Sequence, residues 1–414
     1  MKYRSEILRE TGRWFAVVLF FTGILLVGSK QCFAQQPPSD IGNFYPFLKE
    51  YGAKNSNNLS YLSGQWDDPQ DWRTKARSTM EELLAYDPEM APLNTRILET
   101  NHRDGYTQHL IRYNLNAYHQ TEAYLLIPDD LENPAPAVIA LHDHGGFYYY
   151  GKEKHNRIDD QPKILEDYIQ NLYDGRSYAD ELAKRGYVVL SPDAFYFGSQ
   201  RINPDDITPE HTEEYFRRAK KGLIEKIRAF NELAGDHEVP MEKSMLAMGT
   251  TWPGIIVQGD RRAIDLLYSR PEVDTTRIAA MGLSLGGLRT TYLFGMDSRI
   301  KAGIIAGFSS TYEEMLRTNF LSHTWMMYVP RQYRYLDLPD VASMNAPKPL
   351  MILNAKRDQL FTIEGMKGAE QKLSGIYSTM KSSEKFRANY YDAPHSMTIP
   401  MQEDAFEWLD RWLK

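Results

Sequence analysis

Short runs of apolar residues recur along the C-terminal two thirds of the chain, and more polar segments separate them. None of these runs carries a charge: 137–141, 187–190, 278–281, 302–306 and 349–353. Uniformly apolar runs of this length are typical of strands buried on both faces of a parallel sheet. Helical patterns lie between or around them, at 71–84, at 177–185 with Ser177 as N-cap, and at 403–413. The alternation predicts an α/β fold, with a mostly parallel central sheet and helices on both faces.

The run at 278–281 leads directly into Gly282-Leu-Ser-Leu-Gly286, which a helical pattern follows. Gly-x-Ser-x-Gly between a strand and a helix is the pattern of the nucleophile elbow, a turn so sharp that only small residues fit beside the serine. The turn would aim the Ser284 hydroxyl beyond the end of the sheet. Glycine and serine are also common in ordinary turns, so a simple turn serine is the alternative for the pentapeptide on its own.

Two further polar residues follow predicted strands, in the order that such an elbow requires. Asp358 comes just after the run at 349–353, and His395 comes just after a predicted strand at 386–391. Catalytic groups of open parallel sheets collect beyond the carboxyl ends of the strands. His395 would take the proton of Ser284, and Asp358 would orient the imidazole. Asp392 is a rival acid, ranked lower because it lies on the histidine's own loop. Taken singly, Asp358 could be a loop cap and His395 a surface histidine.

The run at 137–141 ends in His142-Asp-His-Gly-Gly146. Backbone N–H groups of a glycine-rich turn at this place can form an oxyanion hole with the N–H of the residue after the nucleophile. We expect Leu285 as one donor and His144 or Gly145 as the other. His142, Asp143 and His144 also permit a metal site, but no further ligand follows at a suitable spacing. The prediction is therefore a site without metal or other cofactor.

In these residues the chain resembles serine hydrolases of the α/β-hydrolase superfamily, in the branch of dienelactone-hydrolase-like and acetyl-xylan-esterase proteins. The resemblance covers about residue 100 to the C-terminus and rests, beyond the three residues above, on the blocks 142–154, 191–198, 269–274, 323–325 and 334–340. It implies an α/β-hydrolase fold with Ser284 as nucleophile, Asp358 as acid and His395 as base. It also implies an acetyl or similar ester of a carbohydrate as the substrate.

The chain departs from the family pattern at two places. Ala355 stands where the strand before the acid usually continues Asn-Gly-x-x-Asp, which is a small steric change. The segment 197–201 reads Phe-Gly-Ser-Gln-Arg, where the family often has Phe-Gly-Glu-Arg. The second departure places no acidic side chain there, so the resemblance does not carry over any role of that glutamate.

The N-terminus differs in composition from the rest. Residues 1–13 carry four basic side chains, residues 14–28 are apolar and uncharged, and Cys32-Phe-Ala34 offers a small-residue cleavage site. This predicts a signal peptide at 1–34 and an exported enzyme, periplasmic or extracellular, without a stable membrane span after cleavage. Glu6 and Glu10 leave an uncleaved anchor as the alternative. Cys32 is the only cysteine, so a chain cut after Ala34 has no disulfide. The formal net charge of −7 argues against nucleic acid as a partner.

The remaining organisation predicts a partly helical N-terminal arm at 35–118, with the first strand at 121–128, and a catalytic domain at 119–414. Two stretches in that domain exceed normal loop length, at about 147–175 and 197–248. We expect them to form a cap that shapes a pocket for a small-molecule or oligosaccharide ester. The aromatic run 147–150 could stack on sugar rings, although such residues are more often core. A peptidase of the same fold and a non-catalytic binding protein are the alternative functions, and the oligomeric state stays open.

Overall fold

A mixed sheet of nine strands forms the centre of the part of the chain that the structure describes. The structure is a computed structural model, and it describes residues 38–414. The strand bounds are β1 Arg96–Arg103, β2 Tyr106–Asn114, β3 Gln120–Pro128, β4 Ala135–Leu141, β5 Val188–Pro192, β6 Val273–Leu283, β7 Ala302–Ala306, β8 Leu350–Ala355 and β9 Phe386–Tyr391. They lie in the order β1-β2-β3-β5-β4-β6-β7-β8-β9. The predicted signal peptide at 1–34, with Cys32, lies outside the described residues.

Six neighbouring strands, β5-β4-β6-β7-β8-β9, pair in parallel. Every residue of β4, β5, β7 and β8 is buried, as uniformly apolar runs predict for strands covered on both faces. The other three strands pair antiparallel and extend the sheet beyond β5. The predicted fold class, a mostly parallel sheet of the α/β-hydrolase type, is confirmed.

Helices cover both faces of this sheet. Their bounds are α1 Tyr45–Asn55, α2 Pro69–Leu84, α3 Lys163–Tyr173, α4 Tyr178–Lys184, α5 Glu213–Ala219, α6 Leu223–Asp236, α7 Glu238–Ala247, α8 Trp252–Tyr268, α9 Leu285–Met296, α10 Tyr312–Met315, α11 Gln332–Tyr335, α12 Leu338–Ser343, α13 Ile363–Thr379 and α14 Ile399–Leu413. Buried side chains of α2, α8, α9, α12 and α13 join the core of one face. Those of α3, α4 and α14 join the core of the other. Within residues 38–414, no helix combines the length and apolar character that crossing a bilayer requires.

The sheet begins earlier in the chain than the hydrophobic pattern predicts. The prediction of a first strand at 121–128 is wrong, because β1 and β2 precede it and pair along the sheet. Most residues of β1 are exposed, so this strand lacks the apolar pattern that would mark it. The leading segment also packs on the core: Trp72 of α2 is fully buried, and Thr251 Oγ1 donates to Leu84 O at 2.7 Å.

Three long segments leave the carboxyl ends of parallel strands. The two that the sequence marks, 147–175 and 197–248, contain α3 and α5 to α7 respectively. A third, between β7 and β8, contains α10 to α12 and was not predicted as an insertion. Because parallel strands end at the same edge of the sheet, all three segments begin on the side where catalytic groups collect.

Candidate active site

Ser284 sits at the turn between β6 and α9, in a backbone conformation that few residues adopt. Its φ is 58° and its ψ is −119°, a combination that costs energy in any residue with a side chain. The turn is tight enough to require glycine on both sides. A Cβ at Gly282 would lie 2.4 Å from Leu141 O, and one at Gly286 would lie 2.0 Å from the same oxygen. The sequence Gly-x-Ser-x-Gly therefore folds here as a sharp strand-to-helix turn.

Asp358 and His395 are brought together by the pairing of β8 with β9. The two strands are parallel and in register at their ends, with Ala355 opposite Tyr391, so the loops that follow them are neighbours. His395 Nδ1 lies 2.7 Å from Asp358 Oδ2. A carboxylate can only accept, so Nδ1 donates this hydrogen bond and Nε2 stays available to another partner. Leu360 N donates to Asp358 Oδ1 at 2.8 Å, which fixes the buried carboxylate.

The rival acid, Asp392, lies elsewhere. Its side chain is 81% exposed and forms an ion pair with Arg357 Nε at 2.8 Å. The side chain of Asp358, by contrast, is 0% exposed beside a partly buried His395. The structure therefore brings His395 to the acid on the preceding strand's loop.

Ser284 and His395 line the same cavity, whose volume is about 380 Å³. The residues expected at the oxyanion hole, His144, Gly145 and Leu285, line it as well. Leu285 is the first residue of α9, so its N–H has no acceptor within its own helix. The glycine-rich turn after β4 closes with a hydrogen bond from Phe147 N to His144 O at 3.0 Å. Gly145 and Gly146 both have positive φ in this turn.

His142 does not point to a metal site. It is fully buried, its Nδ1 donates to Asp143 O at 2.9 Å, and its Nε2 accepts from Ala194 N at 3.0 Å. Burial holds the pKa of His142 well below its usual range, so the ring is neutral. Within residues 38–414, no cluster of three or more His, Cys, Asp or Glu side chains has the arrangement of a metal site. The two ring nitrogens of His142 instead hydrogen-bond to the loops that follow β4 and β5.

Glu238, at the start of α7, belongs to the cavity and was missed from the sequence. Its Oε1 accepts from His144 Nε2 at 2.8 Å, from Tyr148 Oη at 2.8 Å and from Thr324 Oγ1 at 2.9 Å. Burial opposes its ionisation, but the hydrogen bonds, led by that from His144, outweigh burial and keep the pKa of Glu238 below its ordinary value. Nothing in the charged stretch around Glu238 sets it apart, because its partners come from two distant segments, at 144–148 and at 324.

The aromatic run 147–150 and two tryptophans, Trp252 and Trp325, differ in how far they are buried. Phe147 and Tyr148 are almost fully buried, and Trp252 is completely buried in the core. Of this group only Tyr148 lines the cavity. Trp325 is 42% exposed. The interpretation that residues of this run are core is correct for Phe147.

Comparisons with known proteins agree with this architecture. A model of the dienelactone hydrolase family matches residues 170–405, more than half of the chain, and a model described as Abhydrolase family matches 57–198. A protein of Bacillus subtilis (strain 168) named "Putative hydrolase YtaP" is 26% identical over 344 residues, 82% of this chain and 100% of that protein. The structure of a "putative acetyl xylan esterase" from Bacteroides fragilis NCTC 9343 matches with a TM-score of 0.64 and 16% identity, covering 85% of this chain and 84% of that one. Glucuronoyl esterase from Solibacter usitatus matches with a TM-score of 0.57 and 15% identity, covering 87% and 98%.

Proposed function

Since this chain belongs to the dienelactone hydrolase family, we propose that it hydrolyses carboxylic esters through Ser284, His395 and Asp358. The observation that carries the proposal is the 2.7 Å hydrogen bond between His395 and the buried carboxylate of Asp358, with the imidazole on the cavity that Ser284 lines. This bond leaves Nε2 free to accept a proton. A base so oriented, beside a serine held on a sharp turn, supports nucleophilic catalysis.

The proposed reaction has two halves. Ser284 Oγ attacks the ester carbonyl while His395 takes its proton, and a tetrahedral oxyanion forms. The intermediate collapses, the alcohol leaves with the proton from His395, and the acyl group stays on Ser284. Water then attacks the acyl-enzyme by the same route and releases the acid. Asp358 keeps the imidazole in the required tautomer and stabilises the imidazolium in both halves.

The oxyanion would be held by backbone N–H groups. Leu285, Gly145 and His144 line the same cavity as Ser284, and the N–H of Leu285 with that of Gly145 or His144 would be the donors. Preorganised donors of this kind supply about 3–4 kcal/mol of transition-state stabilisation each. The proposed site needs no metal, because the charge that develops on the carbonyl oxygen meets these donors directly.

We propose an acetyl or similarly small, uncharged acyl group on a carbohydrate as the substrate. Apolar side chains, among them Leu288, Phe308 and Phe361, line the cavity together with the polar side chains of Ser322 and His323. The ring of His323 packs against that of Phe361, with centroids 4.8 Å apart. Burial lowers the pKa of His323 to about 4, so it is neutral near pH 7. A small apolar acyl group and a hydroxyl-rich alcohol match this mixed lining.

The long segments act, in this proposal, as a cap over the cavity. Tyr148 comes from the first segment and Thr324 from the third. Both donate to the carboxylate of Glu238, which comes from the second. Exchange of these cavity-lining residues is therefore expected to change the preference among alcohols more than the hydrolysis of a small aryl ester.

Export is proposed from the N-terminal sequence: a basic region, an apolar core and Ala34 before the mature chain. N-terminal sequencing of the protein from fractionated cells tests this. Protein that begins at Gln35 in the periplasm or medium is the expected result. Full-length chain in the membrane fraction would favour the uncleaved anchor.

Hydrolysis of 4-nitrophenyl acetate by the purified protein and by its Ser284→Ala variant tests the activity. The wild type should turn over and Ser284→Ala should fall to background, because no nucleophile remains. Ser244→Ala, which removes an exposed hydroxyl bonded to Pro240 O, should match the wild type. Equal rates for wild type and Ser284→Ala would refute the mechanism. Cleavage of an aminoacyl-anilide in preference to all esters would favour a peptidase instead.

A further inference from the structure

Lys154 is a completely buried cation behind the glycine-rich turn. Its side chain is 0% exposed, although lysine is among the residues least often buried. Its Nζ donates to Asp143 O at 2.7 Å and to His144 O at 2.9 Å. The mechanism described above gives this ammonium group no part.

The two carbonyls that Lys154 binds belong to the peptide units whose N–H groups are those of His144 and Gly145. A trans peptide is planar, and its C=O and N–H point in opposite directions. A group that holds the carbonyl on the buried side therefore turns the N–H towards the opposite side. His144 and Gly145 both line the cavity.

Each of these carbonyls is held twice. Asp143 O also accepts from His142 Nδ1 at 2.9 Å, and His144 O also accepts from Phe147 N at 3.0 Å. With two donors on each oxygen, neither peptide plane can rotate without breaking buried hydrogen bonds. The loss of such bonds is costly, because the groups cannot find water in the interior.

A nearby carboxylate, that of Asp143, opposes the loss of charge that burial of the ammonium group favours. Asp143 Oδ2 lies 3.8 Å from Nζ, and the ring centroid of Phe197 lies 4.7 Å away. The Asp143 carboxylate is itself held by the hydroxyls of Tyr168 and Tyr173. Burial lowers the pKa of Lys154 to about 8, against the raising effect of Asp143, so the cation predominates at pH 7.

We infer that Lys154 is a positioning residue of the oxyanion hole, whose buried ammonium orients and polarises the peptide N–H groups of His144 and Gly145 towards the substrate oxyanion. The inference rests on the proposed function. A cation on the carbonyl oxygen draws electron density through the peptide unit and makes the N–H a stronger donor. The benefit is largest when negative charge has developed on the substrate, so it acts on the transition state more than on the ground state.

Lys154→Met tests the inference, because it replaces the cation by an apolar chain of similar length. Per active site, counted by titration with a fluorophosphonate, kcat for 4-nitrophenyl acetate should fall about 10- to 100-fold while KM stays within about threefold. The inhibition constant of an arylboronic acid, which forms a tetrahedral anion on the serine, should rise by a similar factor. Lys154→Arg, which keeps the charge, should recover part of the lost kcat.

Lys152→Met is the matched control. Lys152 is also buried and lies two residues away, but its Nζ binds Asp193 Oδ2 at 2.9 Å. Its loss should lower stability, with kcat per active site within about threefold of wild type. If Lys154→Met does not fold, Lys154→Gln takes its place, since its amide still donates to one carbonyl but carries no charge.

Three results would overturn the inference. The first is a Lys154→Met or Lys154→Gln variant with wild-type kcat per active site. The second is an equal loss in Lys152→Met, which would mean that any buried lysine of this segment serves only stability. The third is wild-type boronate affinity in a variant with reduced kcat. Failure of the proposed function itself is distinct: Ser284→Ala would then match the wild type, and the role of Lys154 would fall with it.

Discussion

The imidazole of His395 bonds to Asp358, 37 positions away in the chain, at 2.7 Å between Nδ1 and Oδ2. Asp392 is only three residues from His395, yet it pairs with Arg357 at the surface. The choice follows from the sheet, because the parallel pairing of β8 and β9 places the two strand-end loops side by side. The proposed acid is thus selected by the fold and not by proximity in sequence.

The first prediction concerns these two acids. Asp358→Asn should lower kcat by about 10³- to 10⁴-fold, because an amide does not hold the imidazole in the tautomer that leaves Nε2 as a base. Asp392→Asn should keep kcat within about twofold, since it changes only an exposed ion pair. Steady-state kinetics on 4-nitrophenyl acetate measure both. Similar losses in the two variants would contradict the assignment of Asp358.

A second prediction compares the two glycines of the oxyanion turn. A Cβ at Gly145 would lie 1.8 Å from Tyr168 Oη and 2.8 Å from Asp143 Oδ2, whereas one at Gly146 meets nothing within 4 Å. Both residues have positive φ, so both alanine variants carry backbone strain of about 1–3 kcal/mol. Gly145→Ala must also displace Tyr168 and should lose at least about tenfold more kcat than Gly146→Ala. Kinetics and thermal unfolding of the pair provide the comparison, and equal losses would show that the turn tolerates a side chain at Gly145.

A third prediction concerns Glu238, which links three cap segments to His144. In Glu238→Gln the remaining oxygen can still accept from His144 and Tyr148, but the negative charge is lost and the NH₂ takes the place of Oε2, which accepts from Thr324 Oγ1 at 3.0 Å and from Trp325 N at 3.4 Å. We expect the variant to lose about 1–3 kcal/mol of unfolding free energy. We also expect its kcat/KM for an acetylated carbohydrate to fall about tenfold. Chemical denaturation and kinetics measure the two effects.

Glu214→Gln is the control for Glu238→Gln, because Glu214 pairs only with Arg217 at the surface. It should leave both quantities close to those of the wild type. An unchanged kcat/KM in Glu238→Gln would show that this carboxylate does not contribute to the activity of the cavity.

The fourth prediction uses pH. Glu242 lies one turn after Glu238 on α7, and burial together with the Glu238 charge raises the pKa of Glu242 to about 7. The unfolded chain ionises this carboxyl at its ordinary, lower pKa. Stability therefore falls as pH rises from about 4.5 through 7, because the unfolded state has already released the proton. Glu242→Gln removes this titration and should be more stable than the wild type at pH 8, by about 1 kcal/mol, with the difference shrinking towards pH 4.5.

Thermal unfolding of wild type and Glu242→Gln across this range measures that trend. A difference in stability between the two proteins that does not change with pH, or that grows towards acidic pH, would contradict the raised pKa of Glu242. Glu214→Gln again serves as the control, since the pKa of Glu214 is lowered by its hydrogen bond to Arg217.

The parts of the fold that the sequence predicts are those with uniform burial. Strands β4 and β7 are apolar throughout, and β8 is apolar up to Asn354, so their positions follow from hydrophobicity. The residues just past strand ends, Ser284 and His395 among them, could then be placed at one edge of the sheet. Strand β1 is mostly exposed, and its pairing with β2 carries no such signal.

The contacts that unite distant segments could not be predicted. Glu238 meets Tyr148 and Thr324 only because separate long segments fold over the same cavity. Lys154 is an ordinary lysine in sequence, but it is buried beneath the glycine-rich turn beside Phe197, whose ring contacts both His144 and the Lys154 ammonium. Hydrophobic periodicity describes single elements, so interactions of this kind appear only in the three-dimensional structure.

The most direct test of the account is to find which residue a serine-directed reagent modifies. The purified protein is treated with a fluorophosphonate, digested, and mapped by mass spectrometry while loss of 4-nitrophenyl acetate hydrolysis is followed. The account predicts one adduct per chain, on Ser284, formed in proportion to the loss of activity and absent from Asp358→Asn at early times. Ester hydrolysis that continues with Ser284 fully modified, or that is lost with the adduct on another residue, would contradict it.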